Sequence, residues 1–282
     1  MNNKVEYVKD TFDEYLSKSD YVSESDLKTF LKSPRAYFYD KNRTEPKPDK
    51  KHFAVGSALY EYIMEKDQFD KNFIVSPKFD RRTKDGKQKY EDFQLKADGK
   101  TILDEQEMEM IKQISVSAKM NRTFMELLEG SYYEVSCYTV DEVTGLKVRL
   151  RPDILPMSKN TVVDIKSCLD SSPKGFKSDV YSYDYSLTSA YYLDFLGREN
   201  YVFAAMEKNA PYQTSLYVLS EKLLQIGRSE YRMGLDLLKW SIENNFWCDY
   251  IEFEILKEHY ISGDLSNVIE TIENEELIAT LL

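Results

Sequence analysis

A block of three β-rich runs in the middle of the chain narrows the class of fold that it can adopt. The runs are YYEVSCYTV, GLKVRLRPDIL and TVVDIKS, and the turn-forming segments DEVTG and PMSKN join them. β-Branched and aromatic residues between Gly-, Pro- and Asn-containing turns are typical of strands. The block therefore predicts an antiparallel meander of three strands.

Helical patterns and two further strands lie on either side of this block. In chain order we predict a helical segment to about Tyr39 capped at Ser23 or Ser25, a loop at 41–51, a helix at 53–66, a strand at FIVS, a polar stretch PKFDRRTKDGKQK, a helix at 104–129 stopped by Gly130, a helical tract from SSPKGF to Gly197, strands at YVFAAMEK and TSLYVL, and a helix at 220–245. This order predicts a mixed α/β (α+β) fold with a central mixed sheet flanked by helices.

Composition and charge divide the chain unevenly. The 282 residues are 42% hydrophobic, which is enough for a large core, and we predict one domain over residues 1–250. From Asp249 to the end, nine acidic residues stand against Lys257 alone, so most of the net charge of −11 lies there. We predict that 251–282 is an acidic, helical tail that docks either on the body or on a neighbouring subunit. The nearly neutral body is compatible with a local basic groove for nucleic acid.

The same sequence limits where the protein works. No apolar run approaches the roughly 20 residues that a membrane-spanning helix needs, and the start MNNKVEYVKD lacks the pattern of a secretory signal. We expect a cytoplasmic protein with no membrane partner. The cysteines Cys137, Cys168 and Cys248 are odd in number and far apart, which favours buried, reduced thiols over disulfides or a four-cysteine metal cluster.

Three charged residues at the ends of the predicted strands are candidates for chemistry. Asp164 and Lys166 are two residues apart in VVDIKS, so they point to the same face of a strand. A hairpin of this length can return Asp153, from RPDIL, beside Asp164. Two carboxylates and an ammonium would then share one site that suits Mg²⁺, a hard cation that needs few protein carboxylates beside substrate phosphate, with Mn²⁺ as an alternative ion.

A fourth candidate is Glu134, which we place in the strand YYEVSCYTV on one face with Ser136 and Tyr138, as a supporting catalytic carboxylate and additional metal ligand. The competing interpretation is that an Asp-x-Lys strand is a solvated edge with an ion pair. Against this, VVDIKS is apolar enough for a buried strand, where adjacent charges need a reason.

The spacing Pro152-Asp153, ten residues, Asp164-Ile165-Lys166 resembles the core motif of the PD-(D/E)xK nucleases. The surroundings resemble the RecE-like, phage-type branch that includes exodeoxyribonuclease VIII. The similar segments run from about Ser23 to Tyr250 and include SESDLKTFLKSPRAYFY, VGSALYEYIME, RRTKDGK, YSLTSAYYLDFLG, SEYRMGLDLLKW and NNFWCDY.

This resemblance implies a restriction-endonuclease-like core and a Mg²⁺-dependent exonuclease that degrades linear duplex DNA from an end in phage-type recombination. It also implies a ring-shaped homo-oligomer, a single-strand annealing protein as partner and, if the chain is encoded by a phage or prophage, a bacterial host cytoplasm. Carried over by residue, Asp153 and Asp164 match the metal carboxylates, Lys166 the catalytic lysine, and the Ile165 carbonyl a backbone metal ligand.

Two positions depart from the pattern of the family. Tyr60 stands where the family usually has a metal-binding histidine, and Thr188 stands where a Tyr-x-x-Gln element, begun here by Tyr185, usually has glutamine. A phenol is a poor ligand for Mg²⁺ at neutral pH. The departures keep a second hypothesis open, namely a catalytically weak or inactive module that binds DNA ends or a protein.

Candidate DNA contacts come from basic segments and from this element. The densest basic cluster contains Arg81, Arg82, Lys84 and Lys87, and it matches RRTKDGK, although such a run is as often only a solvated loop. Arg35 follows Ser33-Pro34 and is a candidate for reaching a DNA end. Tyr185 and Thr188 are candidates because of their place beside the expected active site.

Overall fold

The computed structural model of the chain describes the backbone of residues 4–44 and 51–274, and the side chains of these residues except 51–53, 273 and 274. Most of the predicted loop at 41–51, the side chain of His52 and the end of the predicted tail helix lie outside the described residues. Within them, no helix is both long enough and apolar enough to cross a membrane.

The described helices mostly begin at side-chain caps that the sequence supplies. Their bounds are α1 (Phe12–Ser17), α2 (Glu24–Lys32), α3 (Pro34–Asn42), α4 (Lys51–Met64), α5 (Lys66–Asn72), α6 (Lys84–Lys96), α7 (Glu105–Met120), α8 (Arg122–Leu128), α9 (Pro173–Ser182), α10 (Tyr185–Leu196), α11 (Glu221–Asn244), α12 (Tyr250–Ser262) and α13 (Val268–Asn274). The Ser23 hydroxyl accepts from the Asp26 amide and the Asp26 carboxylate accepts from the Ser23 amide, which forms the capping box that begins α2.

The described strands form three sheets. Their bounds are β1 (Glu6–Val8), β2 (Phe73–Ser76), β3 (Thr101–Asp104), β4 (Ser131–Tyr133), β5 (Ser136–Val140), β6 (Lys147–Leu150), β7 (Ile154–Pro156), β8 (Thr161–Cys168), β9 (Asn200–Glu207) and β10 (Thr214–Val218). The central mixed sheet has the order β10-β9-β8-β7-β4, in which β8 and β9 are parallel and the other neighbours antiparallel. A three-stranded sheet has the order β1-β5-β6, and β2 pairs with β3.

The predicted three-strand meander is wrong in one respect, because the chain crosses between two sheets twice within it. YYEVSCYTV divides into β4 and β5 at Glu134, whose φ of 44° is incompatible with a continuous strand. GLKVRLRPDIL divides into β6 and β7 at residues 151–153, where Pro152 cannot donate to a ladder. The two crossings lie side by side, since the Glu134 amide donates to the Asp153 carbonyl at 3.1 Å.

Two other segments also differ from the prediction. The polar stretch before residue 90 contains the first half of α6, because the Thr83 hydroxyl accepts from the Gly86 amide and begins a helix that a count of apolar residues does not show. The start of the chain contains the short strand β1, which pairs with β5. A three-residue strand carries too little periodicity to be found from its sequence.

The central sheet is buried on both faces, so neighbouring residues of one strand belong to different cores. On β8, Val162 packs into a large cluster with Phe176 of α9 and Leu235 of α11, whereas Val163 packs into a second cluster with Ile111 of α7. Alternation along β8 therefore directs Asp164 and Lys166 to the same side as Val162.

The acidic C-terminal segment also contributes to this large cluster. Phe253 of α12 lies edge-on to Phe30 of α2, with ring centroids 5.4 Å apart. Val268 and Ile272 of α13 are buried in the same cluster. Within the described residues, the segment from Tyr250 to Ile272 thus docks on the body, which was one of the two arrangements left open by the sequence.

Candidate active site

The strand β8 carries Asp164 and Lys166 side by side. Asp164 is 7% exposed, and the Lys166 ammonium lies 2.6 Å from its Oδ2 atom. No described group donates to Asp164 Oδ2 in good hydrogen-bond geometry, so the contact with Lys166 is an ion pair rather than a well-directed hydrogen bond. This buried carboxylate oxygen therefore depends on the Lys166 ammonium and receives no bond from the backbone.

Asp153 reaches the same place from the crossing between β6 and β7. Its Oδ2 atom accepts from the Ile165 amide at 2.7 Å, and its carboxyl group contacts that of Asp164. The structure thus brings together the three residues that the sequence proposes for the centre of the site. Asp153 itself lies outside any strand, but its side chain accepts from β8 and its neighbour Ile154 pairs with Val163 of β8.

The pKa values of Asp153 and Lys166 are both shifted by burial and by their charged neighbours. Burial, and next the neighbouring Asp164 carboxylate, raise the pKa of Asp153 well above its usual value. Burial acts to lower the pKa of Lys166, but Asp164 and Asp153 outweigh it and raise that pKa above its usual value. Lys166 is therefore a protonated cation, while Asp153 resists ionisation without a further positive charge.

These residues fit a divalent cation. Two carboxyl groups in contact repel each other when both are ionised, and a bound cation removes that repulsion. Among the described residues there is no group of three or more His, Cys, Asp or Glu side chains arranged to hold a metal. That result disfavours a cage made only of protein side chains, but Mg²⁺ usually binds through one or two carboxylates, water and substrate phosphate.

Glu134 lines the same pocket but is positioned differently from the prediction. Because its φ of 44° removes it from strand alternation, it does not share a strand face with Ser136 and Tyr138. Its carboxylate pairs with the Arg151 guanidinium at 3.1 Å, and Arg151 also donates to Ser136 Oγ at 2.8 Å. In this arrangement Glu134 neutralises Arg151 at the wall of the site.

Tyr60 of α4 occupies another wall of this pocket, which has a volume of about 460 Å³. Its hydroxyl donates to the Asp153 carbonyl at 3.0 Å. Burial, with help from Glu134 and Asp153, raises the pKa of Tyr60 far above neutrality, so the phenol stays protonated and remains a donor. Tyr60 therefore fixes the backbone of Asp153 instead of presenting an ionised oxygen to a metal.

The far side of the site contains a residue that sequence reasoning missed. Lys28 of α2 donates to Thr188 Oγ1 at 2.6 Å and to the Tyr183 carbonyl at 2.8 Å. The ammonium groups of Lys166 and Lys28 lie 5.4 and 5.9 Å from the centroid of the Tyr185 ring. Burial, opposed by Glu24 and reinforced by Lys166, lowers the pKa of Lys28. The sequence did not indicate this role for Lys28, because Lys28 and Thr188 are 160 residues apart and a contact at that separation produces no local pattern.

The predicted basic DNA contacts lie away from this pocket. None of Arg35, Arg81, Arg82, Lys84 and Lys87 lines it. Arg82 pairs with Asp80, and the Arg81 guanidinium lies 4.7 Å from the Tyr90 ring centroid. Arg35 forms a 3.7 Å ion pair with Glu252 of α12. Tyr185 and Thr188, by contrast, lie at the site, although Thr188 is buried and bonded to Lys28.

Comparison with known proteins identifies the family of this chain. Residues 23–259 match the family model described as "PDDEXK-like domain of unknown function (DUF3799)". The fold and the matched region place the molecule in the PD-(D/E)xK nuclease superfamily. The chain belongs to this PDDEXK-like family, since the match covers most of its length.

Solved structures support the fold alone. A protein from Eubacterium rectale, named "Putative exonuclease", superposes with a TM-score of 0.61 and 14% sequence identity over 98% of this chain and 96% of that chain. A structure named SSO0001 gives a TM-score of 0.34 at 14% identity over 78% of this chain and 81% of that one, a score too low to support an argument. None of the curated proteins matches this chain.

Proposed function

We propose that the protein is a metal-dependent nuclease that hydrolyses phosphodiester bonds of DNA, with Asp153, Asp164 and Lys166 as its catalytic centre. The observation that carries this proposal is the contact of two carboxyl groups beside a lysine on adjacent backbone segments. Nothing in the core requires such a group, and burying it costs stability unless a ligand compensates for it.

The residues divide the chemistry between them. Asp153 and Asp164 would hold Mg²⁺ or Mn²⁺, with the Ile165 carbonyl as a backbone ligand. When bound, the ion supplies an activated water and neutralises charge on the phosphate. The Lys166 ammonium stabilises negative charge that develops on the phosphate in the transition state. The Ile165 amide and the Tyr60 hydroxyl hold Asp153 in place from its side chain and its backbone respectively.

The finer proposal is an exodeoxyribonuclease of the RecE-like kind. It rests on the segments from Ser23 to Tyr250 that resemble that branch, and it includes attack from the ends of linear duplex DNA in phage-type recombination. A ring-shaped homo-oligomer and a single-strand annealing protein as partner belong to the same proposal, as does a bacterial cytoplasm. The division into a nuclease domain at 1–250 and an acidic, helical C-terminal tail at 251–282 is also a proposal.

A second candidate is a catalytically silent module that binds DNA ends or a protein. Tyr60 favours it, because its hydroxyl is occupied by a backbone carbonyl and offers no replacement for the family histidine. Thr188 favours it for a similar reason, because its hydroxyl accepts from Lys28.

One experiment separates the two candidates. Purified protein is incubated with linear duplex DNA, with the same DNA in closed circular form and with duplex RNA, each with Mg²⁺, Mn²⁺ or a chelator. The nuclease proposal expects metal-dependent loss of linear DNA that Asp164→Asn abolishes. Asp98→Asn is the matched control, because Asp98 is an exposed carboxylate with no role at the site. Binding without cleavage under every condition would support the silent module instead.

A further inference from the structure

A second cleft opens next to the candidate active site. It has a volume of about 660 Å³ and is lined by residues of α2, α3, the α9–α10 junction and α12, among them Lys28, Lys32, Tyr183, Asp184 and Tyr250. We call it the Lys28 cleft. Tyr183 lines both this cleft and the pocket of Asp153 and Lys166, so the two cavities adjoin.

The charged groups of the Lys28 cleft favour an anion. Lys28 and Lys32 contribute two positive charges, and Asp184 is the one acid among the residues that line it. Lys28 also faces Glu24, but it is held by neutral acceptors, the Thr188 hydroxyl and the Tyr183 carbonyl. Lys32 is exposed and has no ion pair within the part of the chain that the structure describes.

Two aromatic side chains of the cleft are exposed. Tyr183, between α9 and α10, is 58% exposed, and Tyr250, at the start of α12, is 63% exposed. The Tyr183 ring stacks on Tyr185 with centroids 5.7 Å apart, so its orientation is fixed. Aromatic faces beside lysines are the combination that binds single-stranded nucleic acid, because bases stack on the rings and phosphates meet the cations.

We propose that the Lys28 cleft binds a single nucleic-acid strand next to the bond that is cleaved. The lysines contact its phosphates and the tyrosines its bases, and Lys28 stands at the junction because it shares the Tyr185 ring with Lys166. This inference rests on the proposed nuclease function. The volume lies within the range of about 300–1,000 Å³ that is typical of ligand sites, which gives room for one or two nucleotides.

The test measures binding separately from cleavage. A fluorescein-labelled 12-nucleotide DNA strand is titrated with Asp164→Asn protein in a chelating buffer, and its anisotropy gives the dissociation constant at several salt concentrations. Tyr183→Ala is expected to weaken binding by roughly tenfold, in line with the loss of one stacked base. Lys32→Gln is expected to reduce the slope of log affinity against log salt by about 0.7, the loss of one phosphate contact.

Matched controls come from the same surface. Tyr181 is 59% exposed at the end of α9 but does not line the cleft, and Lys222 is an exposed lysine on α11. Tyr181→Ala and Lys222→Gln should bind as the parent does. Tyr250→Ala provides a second cleft variant if Tyr183→Ala fails to fold, as judged by its thermal melt.

Each outcome decides the inference. The inference would be overturned if the Asp164→Asn protein does not bind the DNA strand detectably, or if the cleft variants bind it as the control variants do. Cleavage by wild-type protein in Mg²⁺, assayed in parallel, reports on the nuclease proposal independently. Binding that depends on the cleft residues, without cleavage, would support the cleft proposal and contradict the nuclease proposal. Cleavage that Lys32→Gln and Tyr250→Ala leave unchanged would support the nuclease proposal and contradict the cleft proposal.

Discussion

Two buried aspartates in this molecule are held in opposite ways. Asp141, at the end of β5, accepts two hydrogen bonds from the Arg232 guanidinium at 2.8 and 2.7 Å and two more from Thr144. Asp164 is equally buried, but its Oδ2 atom has only the ion-pair contact with Lys166 and lies against a second acid, Asp153.

The pKa values of Asp141 and of Asp153, the acid that lies against Asp164, are shifted in opposite directions. Burial acts to raise the pKa of Asp141, but Arg232 and Thr144 outweigh it, so that pKa lies below its usual value. The pKa of Asp153 is raised instead, by burial and by Asp164. A buried acid whose oxygens are all satisfied stabilises the fold, whereas one left short of donors marks a place for a ligand.

The largest effect, a loss of DNA cleavage, should come from substitutions at the site of Asp153, Asp164 and Lys166. Alanine at Asp153, Asp164 or Lys166 is expected to lower DNA cleavage by about 10³-fold or more while DNA binding persists, because these groups act mainly on the transition state. Initial rates in Mg²⁺ and anisotropy of labelled DNA check both parts. Unfolding of all three variants, or cleavage within tenfold of wild type, would contradict the assignment.

A substitution at Asp141, whose carboxylate accepts bonds from Arg232 and Thr144, should lower stability instead. Asp141→Ala is expected to lower the free energy of unfolding by about 2 kcal/mol, less than for a fully buried pair because Arg232 retains Asp236 and is partly exposed. Urea unfolding measures this loss. Asp164→Asn is the contrasting variant, and its stability should stay within about 1 kcal/mol of wild type because few directed hydrogen bonds are lost.

A pH series sharpens the same contrast. Since the pKa of Asp141 is lowered on folding, its contribution to stability is fully present above the unfolded value of about 3.9 and disappears as the pH falls through the lower, folded value. The difference in Tm between wild type and Asp141→Asn should therefore be constant from pH 7 to about pH 5 and shrink below about pH 4. A difference that grows on acidification would reverse the sign and refute the account.

The smallest effect is expected at Tyr60. Tyr60→Phe removes the hydrogen bond to the Asp153 carbonyl, but the Glu134 amide still donates to that oxygen. The net loss of about 1 kcal/mol corresponds to a reduction of cleavage by about fivefold or less. Mn²⁺ affinity, measured by calorimetry, should weaken by a similar factor. A loss of 100-fold with the fold intact would show that the phenol takes part in the chemistry itself.

The sequence predicted the content of the site better than its construction. Asp164 and Lys166 followed from strand alternation, and Asp153 followed from the length of the hairpin. Glu134 was placed on the wrong strand face because a single left-handed residue interrupts a run of β-formers, and local preference does not reveal such a break. Lys28 was missed because its partners Tyr183 and Thr188 are more than 150 residues away.

The fold shows the same division. Periodicity found α11, and the helix predicted at 104–129 covers α7 and α8, which Asn121 separates. The cap at Ser23 was found from its residue type. The assignment of strands to separate sheets could not be found, because the same alternation suits either sheet. That choice depends on tertiary packing, which carries the β5–β6 hairpin away from β4 and β7.

Because the chain crosses between two sheets, the candidate active site is complete only when both sheets are in place. Asp164 and Lys166 belong to the central sheet, whereas Asp153 is suspended between that sheet and the one formed by β1, β5 and β6. A molecule in which the smaller sheet has detached keeps two of the three groups but loses the register of the third. If the protein is the nuclease proposed above, a chain whose smaller sheet has detached would lack a complete catalytic centre, and only fully folded molecules would cleave DNA.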